Sequence, residues 1–219
     1  MRLLDELVAE HELIDQAVGS LRAYVSARLA GTADGSAGPR FVQFLRLFAG
    51  HFHHAREEDI LFVALRERAE LPEEGPLAAL RGDHRRTVAL LDLIAPLLAR
   101  DVLDAARATE LKRLAIQYSR LLWHHIDAEN SVLFPESEAR LRKQGVLELP
   151  SRAMTPDEAA AMAVGRALIA RYPPETDREI VRGDGCVCCP ALVENCPGLE
   201  HGWWSEAEWD ELDDHLAEG

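Results

Sequence analysis

No apolar run in the sequence approaches the length of about 18 residues that a membrane-spanning helix needs. Cysteine is scarce too: there are four, and all lie between Cys186 and Cys196. A disulfide framework would spread its cysteines through the chain, so a stapled secreted fold is excluded and a reducing, cytoplasmic setting is expected. Cationic residues are outnumbered. Twenty-four Lys and Arg against 38 Asp and Glu leave a net charge of -14 and a pI near 5.1. Such a surface repels a phosphate backbone and an anionic membrane, so neither nucleic acid nor membrane is an expected partner. The first residues show no secretion signal, because Asp5, Glu6 and Glu10 interrupt them. A flavin or nicotinamide fingerprint is missing as well, so electrons, if used, must come from a partner.

What is present suits a folded helical protein. Hydrophobic residues make up 47% of the 219 and charged residues 28%, which is ordinary globular usage. Residues 1–145 read as four amphipathic helices, over about 3–29, 40–70, 77–99 and 105–143. In the first, Leu3, Leu7, His11, Ile14, Val18 and Leu21 recur at three- and four-residue steps. Glycine- and proline-rich breakers separate the helices, and Pro96 is expected to kink or stop the third. Long helices with short links imply an all-α, up-down four-helix bundle. Composition changes near Pro150. Thr155-Pro156-Asp157-Glu158 is a good helix start, and a cysteine-rich stretch follows. The expected organisation is therefore a bundle over 1–145 and a small C-terminal helical and loop extension over 150–219, an appendage on the bundle that takes no part in its metal chemistry.

Histidine and glutamate carry the chemistry. His53, Glu57, Leu61 and Phe62 can be laid on His125, Glu129, Leu133 and Phe134 without a gap. On the preceding helices, Glu10-His11 and Asp83-His84 each pair an acidic residue with a histidine. His11 precedes His53 by 42 residues, and His84 precedes His125 by 41. The chain thus reads as two similar helical hairpins. A spacing of four puts His and Glu on one helix face a turn apart. Two such pairs plus two more histidines make a six-ligand site of His11, His53, Glu57, His84, His125 and Glu129. Imidazole with carboxylate suits iron, manganese or zinc, and glutamates can bridge two metals. His54 and Glu58 are also four apart, so they compete with His53 and Glu57. Aligning His54 with His125 loses the Leu-Phe match, which favours His53 and Glu57. His51, His54, His124 and Glu58 then read as flanking residues.

These residues resemble the hemerythrin-like (HHE cation-binding) family. The match rests on His11, His53 to Phe62, His84, and His125 to Pro135. The resemblance implies two non-haem irons, bridged by an oxygen species and by the two glutamates, that react reversibly with dioxygen or nitric oxide. Family members with five histidines often carry a second one on the third helix, a turn after the first; here that place holds Val88. Proline after the first Leu-Phe is replaced by Val63. Three function classes follow: a gas-binding protein for sensing, storage or detoxification; a di-iron oxidoreductase that activates oxygen or reduces peroxide or nitric oxide; or an iron-handling protein with a partner-binding tail.

Cys186, Cys188, Cys189 and Cys196 form a second candidate site. Closely spaced thiolates favour zinc or an iron–sulfur cluster. Their spacing is not that of a standard zinc ribbon, and a redox disulfide or free thiols are the alternatives. Trp203, Trp204 and Trp209 are expected to pack this tail onto the bundle.

Overall fold

The computed structural model describes residues 1–71 and 75–177, and every regular element among them is helical. Helix α1 (Arg2–Leu29) is one continuous helix whose buried side chains include Leu3, Leu7, His11, Ile14, Val18 and Leu21. A short turn at Gly35–Ala37, held by the Asp34 side chain accepting from the Ser36 amide, leads into a second rod. That rod runs over residues 38–68 without a gap but changes pitch along its length. It comprises α2 (Gly38–Phe44), a π-helical stretch (Leu45–His53), α3 (His54–Arg56), a second π stretch (Glu57–Leu61) and α4 (Phe62–Arg68). Helix α5 (Pro76–Leu98) ends shortly beyond Pro96. The fourth rod begins at the Asp104 cap and comprises α6 (Ala105–Ala128), a π stretch (Glu129–Leu133) and α7 (Phe134–Lys143). Gly145, at a φ of 78°, follows it in the left-handed conformation that glycine adopts without strain.

The core is split in two. One apolar cluster gathers Ile14 to Val25, Phe41 to Phe52, Leu91 to Leu98 and Leu111 to Ile126. The other gathers Leu3 to Leu7, Leu61 to Leu65, Leu77, Leu80 and Leu133 to Leu141. Each rod runs from one cluster into the other, and successive rods do so in opposite order. Between the clusters lies a polar layer: His11 on α1, His53 to Glu57 on the second rod, His84 on α5, and His125 and Glu129 on the fourth. The mean hydrophobic pattern hides this layer, because its residues occupy inward positions of otherwise apolar stripes.

Helix α8 (Pro156–Arg171) starts with a complete capping box. The Thr155 hydroxyl accepts from the Glu158 amide at 3.2 Å, and the Glu158 carboxylate accepts from the Thr155 amide at 2.8 Å. Glu158 also takes two hydrogen bonds from Arg152, at 2.7 and 2.8 Å, which with burial opposing hold its carboxyl far below the usual range. Part of the C-terminal extension is docked on the bundle. Helix α8 packs against α1, α2 and the first π stretch, and Ala161, Leu168 and Tyr172 belong to the main apolar cluster. Gly165 lies so close to Phe44 that an added Cβ would stand 2.3 Å from the ring. The buried positions of α8, Glu158, Ala161, Gly165 and Leu168, fall three and four residues apart and so share one helix face. The cysteines and Trp203, Trp204 and Trp209 lie outside the described residues.

A chain ending near Pro150 should consequently be destabilised. Losing the burial of Leu168 and Tyr172, at about 1.5–3 kcal/mol each, predicts a cost of about 3–6 kcal/mol. Thermal unfolding followed by circular dichroism checks this: the chain ending near Pro150 should melt well below one ending at Asp177. Equal melting temperatures would sink the claim that α8 is part of the core.

Candidate metal centre

All six side chains singled out by the spacing meet in the polar layer, each with 3% or less of its surface exposed. Their Nε2 atoms and carboxylate oxygens converge. His11 Nε2 lies 3.5 Å from Glu57 and 3.2 Å from Glu129. His53 Nε2 lies 3.1 Å from Glu57, the residue a turn later, and His125 Nε2 stands at the same 3.1 Å from Glu129. His84 Nε2 lies 3.4 Å from Glu57 and 3.0 Å from His125 Nε2. Two sets of four can each hold a cation, with ligand atoms within 4.8 Å of one another: His11, His53, Glu57 and Glu129, and His54, Glu57, His84 and His125. Glu57 belongs to both.

The local backbone repeats along with the side chains. Both glutamates open a five-residue π stretch. The Phe62 amide donates to the Glu57 carbonyl and the Phe134 amide to the Glu129 carbonyl, five residues apart in each case. Such wide turns are frequent at functional sites. The phenylalanine that closes each turn then lies over a histidine of the other hairpin. Phe134 stacks on His11 with ring centres 5.3 Å apart, and Phe62 on His84 at 6.2 Å.

Outer partners fix the orientation of the rings. Glu10 accepts from His53 Nδ1 at 2.9 Å, Glu58 from His84 Nδ1 at 2.6 Å, and Asn130 Oδ1 from His11 Nδ1 at 2.8 Å. Asp83 lies 3.6 Å from His125 Nδ1. An acceptor at Nδ1 leaves the Nε2 lone pair facing the centre, the arrangement a metal-binding imidazole requires. These contacts also explain the repeated acid-His dipeptides. Glu10 and Asp83 serve the histidine of the following rod, while Glu58 and Asn130, each one residue after a central glutamate, serve the histidine of the other hairpin. Arg56, 2% exposed, ion-pairs with both Glu10 and Glu6, and Arg86 pairs with Asp83.

The charge balance calls for a cation. All four carboxylate oxygens of Glu57 and Glu129 are buried without a hydrogen-bond partner among the described residues. Buried ionised carboxylates without compensation are costly. Burial pushes the Glu57 carboxyl up, yet the surrounding imidazoles of His53, His11 and His84 hold it well below the usual range. Glu129 is lowered too, with burial and the neighbouring Glu57 opposing His125 and His11. In return His11 and His125 hold protons. Burial alone would lower His11, but Glu129 and Glu57 raise it to about 9; against the same burial, Glu129 and Asp83 raise His125 to about 10. His54 behaves oppositely, since burial and the adjacent His84 push it well below its ordinary value.

Three residues read as flanking thus find distinct places. Glu58 holds His84, and His51 meets Glu158 at 3.2 Å on the surface. His54, 7% exposed, stacks on His84 with ring centres 3.8 Å apart. Its signal was present in the sequence: Glu57 follows His53 by four residues and His54 by three, and both spacings span about one helical turn. His53 and His54 are not alternatives, because Glu57 lies in a four-residue set with each of them.

Buried imidazoles and carboxylates, converging from all four rods with their outer acceptors in place, define a helical cation-binding protein. The chain belongs to the hemerythrin HHE cation binding domain family, whose model matches residues 2–137. That span takes in every residue of the two four-ligand sets. Comparison with curated proteins finds no significant match.

Cation uptake must displace the protons that His11 and His125 hold near neutral pH, because only a free Nε2 lone pair binds metal. Affinity should therefore climb with pH toward about 9–10, the range of the raised pKa values. Calorimetry of ferrous iron binding in buffers of different ionisation heat should show proton release from both groups at pH 7. Binding that releases no protons would contradict this electrostatic picture.

Proposed function

We propose that this chain is a non-haem di-iron protein of the up-down four-helix type that binds dioxygen or nitric oxide for sensing, storage or detoxification. The observation that carries the proposal is the pair of four-ligand sets sharing Glu57, one on each side of the same carboxylate. A donor set of imidazoles and carboxylates suits iron better than it suits the oxygen-seeking magnesium or calcium. Six residues, His11, His53, Glu57, His84, His125 and Glu129, hold the two ions in this reading. Ferrous ions at these positions supply the electrons and open coordination places that a diatomic ligand needs.

The chain's own groups set the conditions for that chemistry. Glu57 and Glu129 bring two negative charges against two cations, so the layer stays compatible with its apolar surroundings. The Leu-Phe pairs at Leu61, Phe62, Leu133 and Phe134, with Leu7 of α1, close one end of the layer against water. Phe52 and Ile126 begin the apolar cluster at the other end. Glu10, Glu58 and Asn130 accept from the Nδ1 atoms and keep those protons turned away from the centre. A small apolar molecule thus meets imidazole and aromatic rings in a layer bounded by apolar clusters at both ends.

Purified protein loaded anaerobically with ferrous iron should contain about two irons per chain. Admitting oxygen should produce near-ultraviolet bands of an oxygen-to-iron charge-transfer type, and nitric oxide should alter the optical or paramagnetic spectrum. Glu57→Ala should release most of both ions, because its carboxylate belongs to both sets, while Glu129→Ala should mainly release one. Full iron content and an unchanged spectrum in both variants would show that these carboxylates are not ligands.

A further inference from the structure

We propose that His54 is a seventh ligand, holding the second cation together with His84, His125 and Glu57, so that the two metal positions are unequal. The inference rests on the di-metal reading above and concerns which residues complete it.

Geometry comes first. The ligand atoms of His54, Glu57, His84 and His125 lie within 4.8 Å of one another. The His54 ring lies nearly parallel to that of His84, with 11° between planes and 3.8 Å between centres. Stacked face to face, the two rings both lie beside Glu57, and a turn of the His54 side chain would aim its nitrogen at the point that His84 faces. His11, His53 and His84 each have Nδ1 engaged by a side chain. No hydrogen bond to either nitrogen of His54 is formed among the described residues, although its side chain is nine-tenths buried.

The internal repeat supplies the second argument. Superposing the hairpins in the register of His53 on His125 sets Glu58 on Asn130, and both hold a histidine of the other hairpin. It sets His54 on Ile126, which is 3% exposed and lies in the apolar cluster. The first cation therefore has an aliphatic neighbour at the place where the second has an imidazole. On α5, the position a turn beyond His84 is Val88, half exposed. Val88 and His54 line the same cleft of about 350 Å³, with Thr87, Leu91 and Tyr118. His54 thus reaches the second set from the rod that faces α5 across this cleft. The second cation receives three imidazoles, from His54, His84 and His125; the first receives two, from His11 and His53.

The test uses the full-length chain with ferrous iron, counting metal by elemental analysis and reading each iron's surroundings by Mössbauer spectroscopy. Wild type should show two inequivalent irons. His54→Ala should lose the second iron or weaken it by at least about tenfold, the lower end of what even an outer partner of a metal ligand contributes. Adding Val88→His to His54→Ala should restore the second iron, because it returns a nitrogen donor through the same cleft. Free imidazole should do likewise in His54→Gly. His51→Ala, which lines the cleft rim without facing the centre, should leave both irons unchanged. If His54→Ala alters helicity, His54→Gln keeps the side chain's bulk and should still lose the second iron. Two irons with unaltered Mössbauer parameters in both His54→Ala and His54→Gln would overturn the proposal. A wild-type chain that binds fewer than two irons would instead overturn the di-metal reading on which it rests.

Discussion

Two buried glutamates facing each other across the middle of a helical protein are the constraint on which the rest of the structure depends. Glu57 and Glu129 are fully buried and their oxygens have no hydrogen-bond partner among the described residues. Such a pair persists only if positive charge surrounds it. The surrounding histidines meet that need with protons, as the raised pKa values of His11 and His125 express, or with bound cations. Proton and metal compete for the same Nε2 atoms, so fold, charge and metal affinity are linked at one layer.

The two hairpins are arranged about that layer with an approximate twofold relation extending beyond the ligands. Each central glutamate opens a π turn, each π turn ends in Leu-Phe, and each Phe covers a histidine of the opposite hairpin. The residue after each glutamate reaches across to hold that same histidine, while the acid before each first-helix histidine holds the second one within its own hairpin. Removing any one outer partner frees a ring. The layer therefore behaves as a coupled unit, and single substitutions in it are not expected to be additive. The repeat is broken at His54 and Ile126, where one half is polar and the other apolar.

Helix α8 adds a further dependence. Glu158 ties the α8 start to Arg152 and His51, and His51 is two residues before His53 on the second rod. Gly165 is what allows Phe44 to lie against α8, since any side chain there would meet the ring. The chain after Pro150 therefore bears on the same rod that supplies His53, His54 and Glu57. None of the described helices is long and apolar enough to cross a membrane.

The four long helical segments and the six central residues were legible in the sequence because both depend on local periodicity. A four-residue spacing places His and Glu on one face whatever the rest of the chain does. The Thr155 capping box was legible for the same reason, since its bonds close within four residues. Tertiary structure decided three other matters. Whether α8 joins the core depends on Phe44 and Tyr24, far away along the chain. Which acid orients which histidine depends on how neighbouring rods cross, so Glu10 and Glu58 serve different rings despite their similar chemistry. Finally, adjacent residues on a helix point in different directions, and spacing alone cannot tell whether both meet something. His53 and His54 both reach the layer because the second rod faces two positions at once, with Glu57 a turn from each. A sequence records the direction of each side chain along its own helix; only the packing of the other helices shows what lies in that direction.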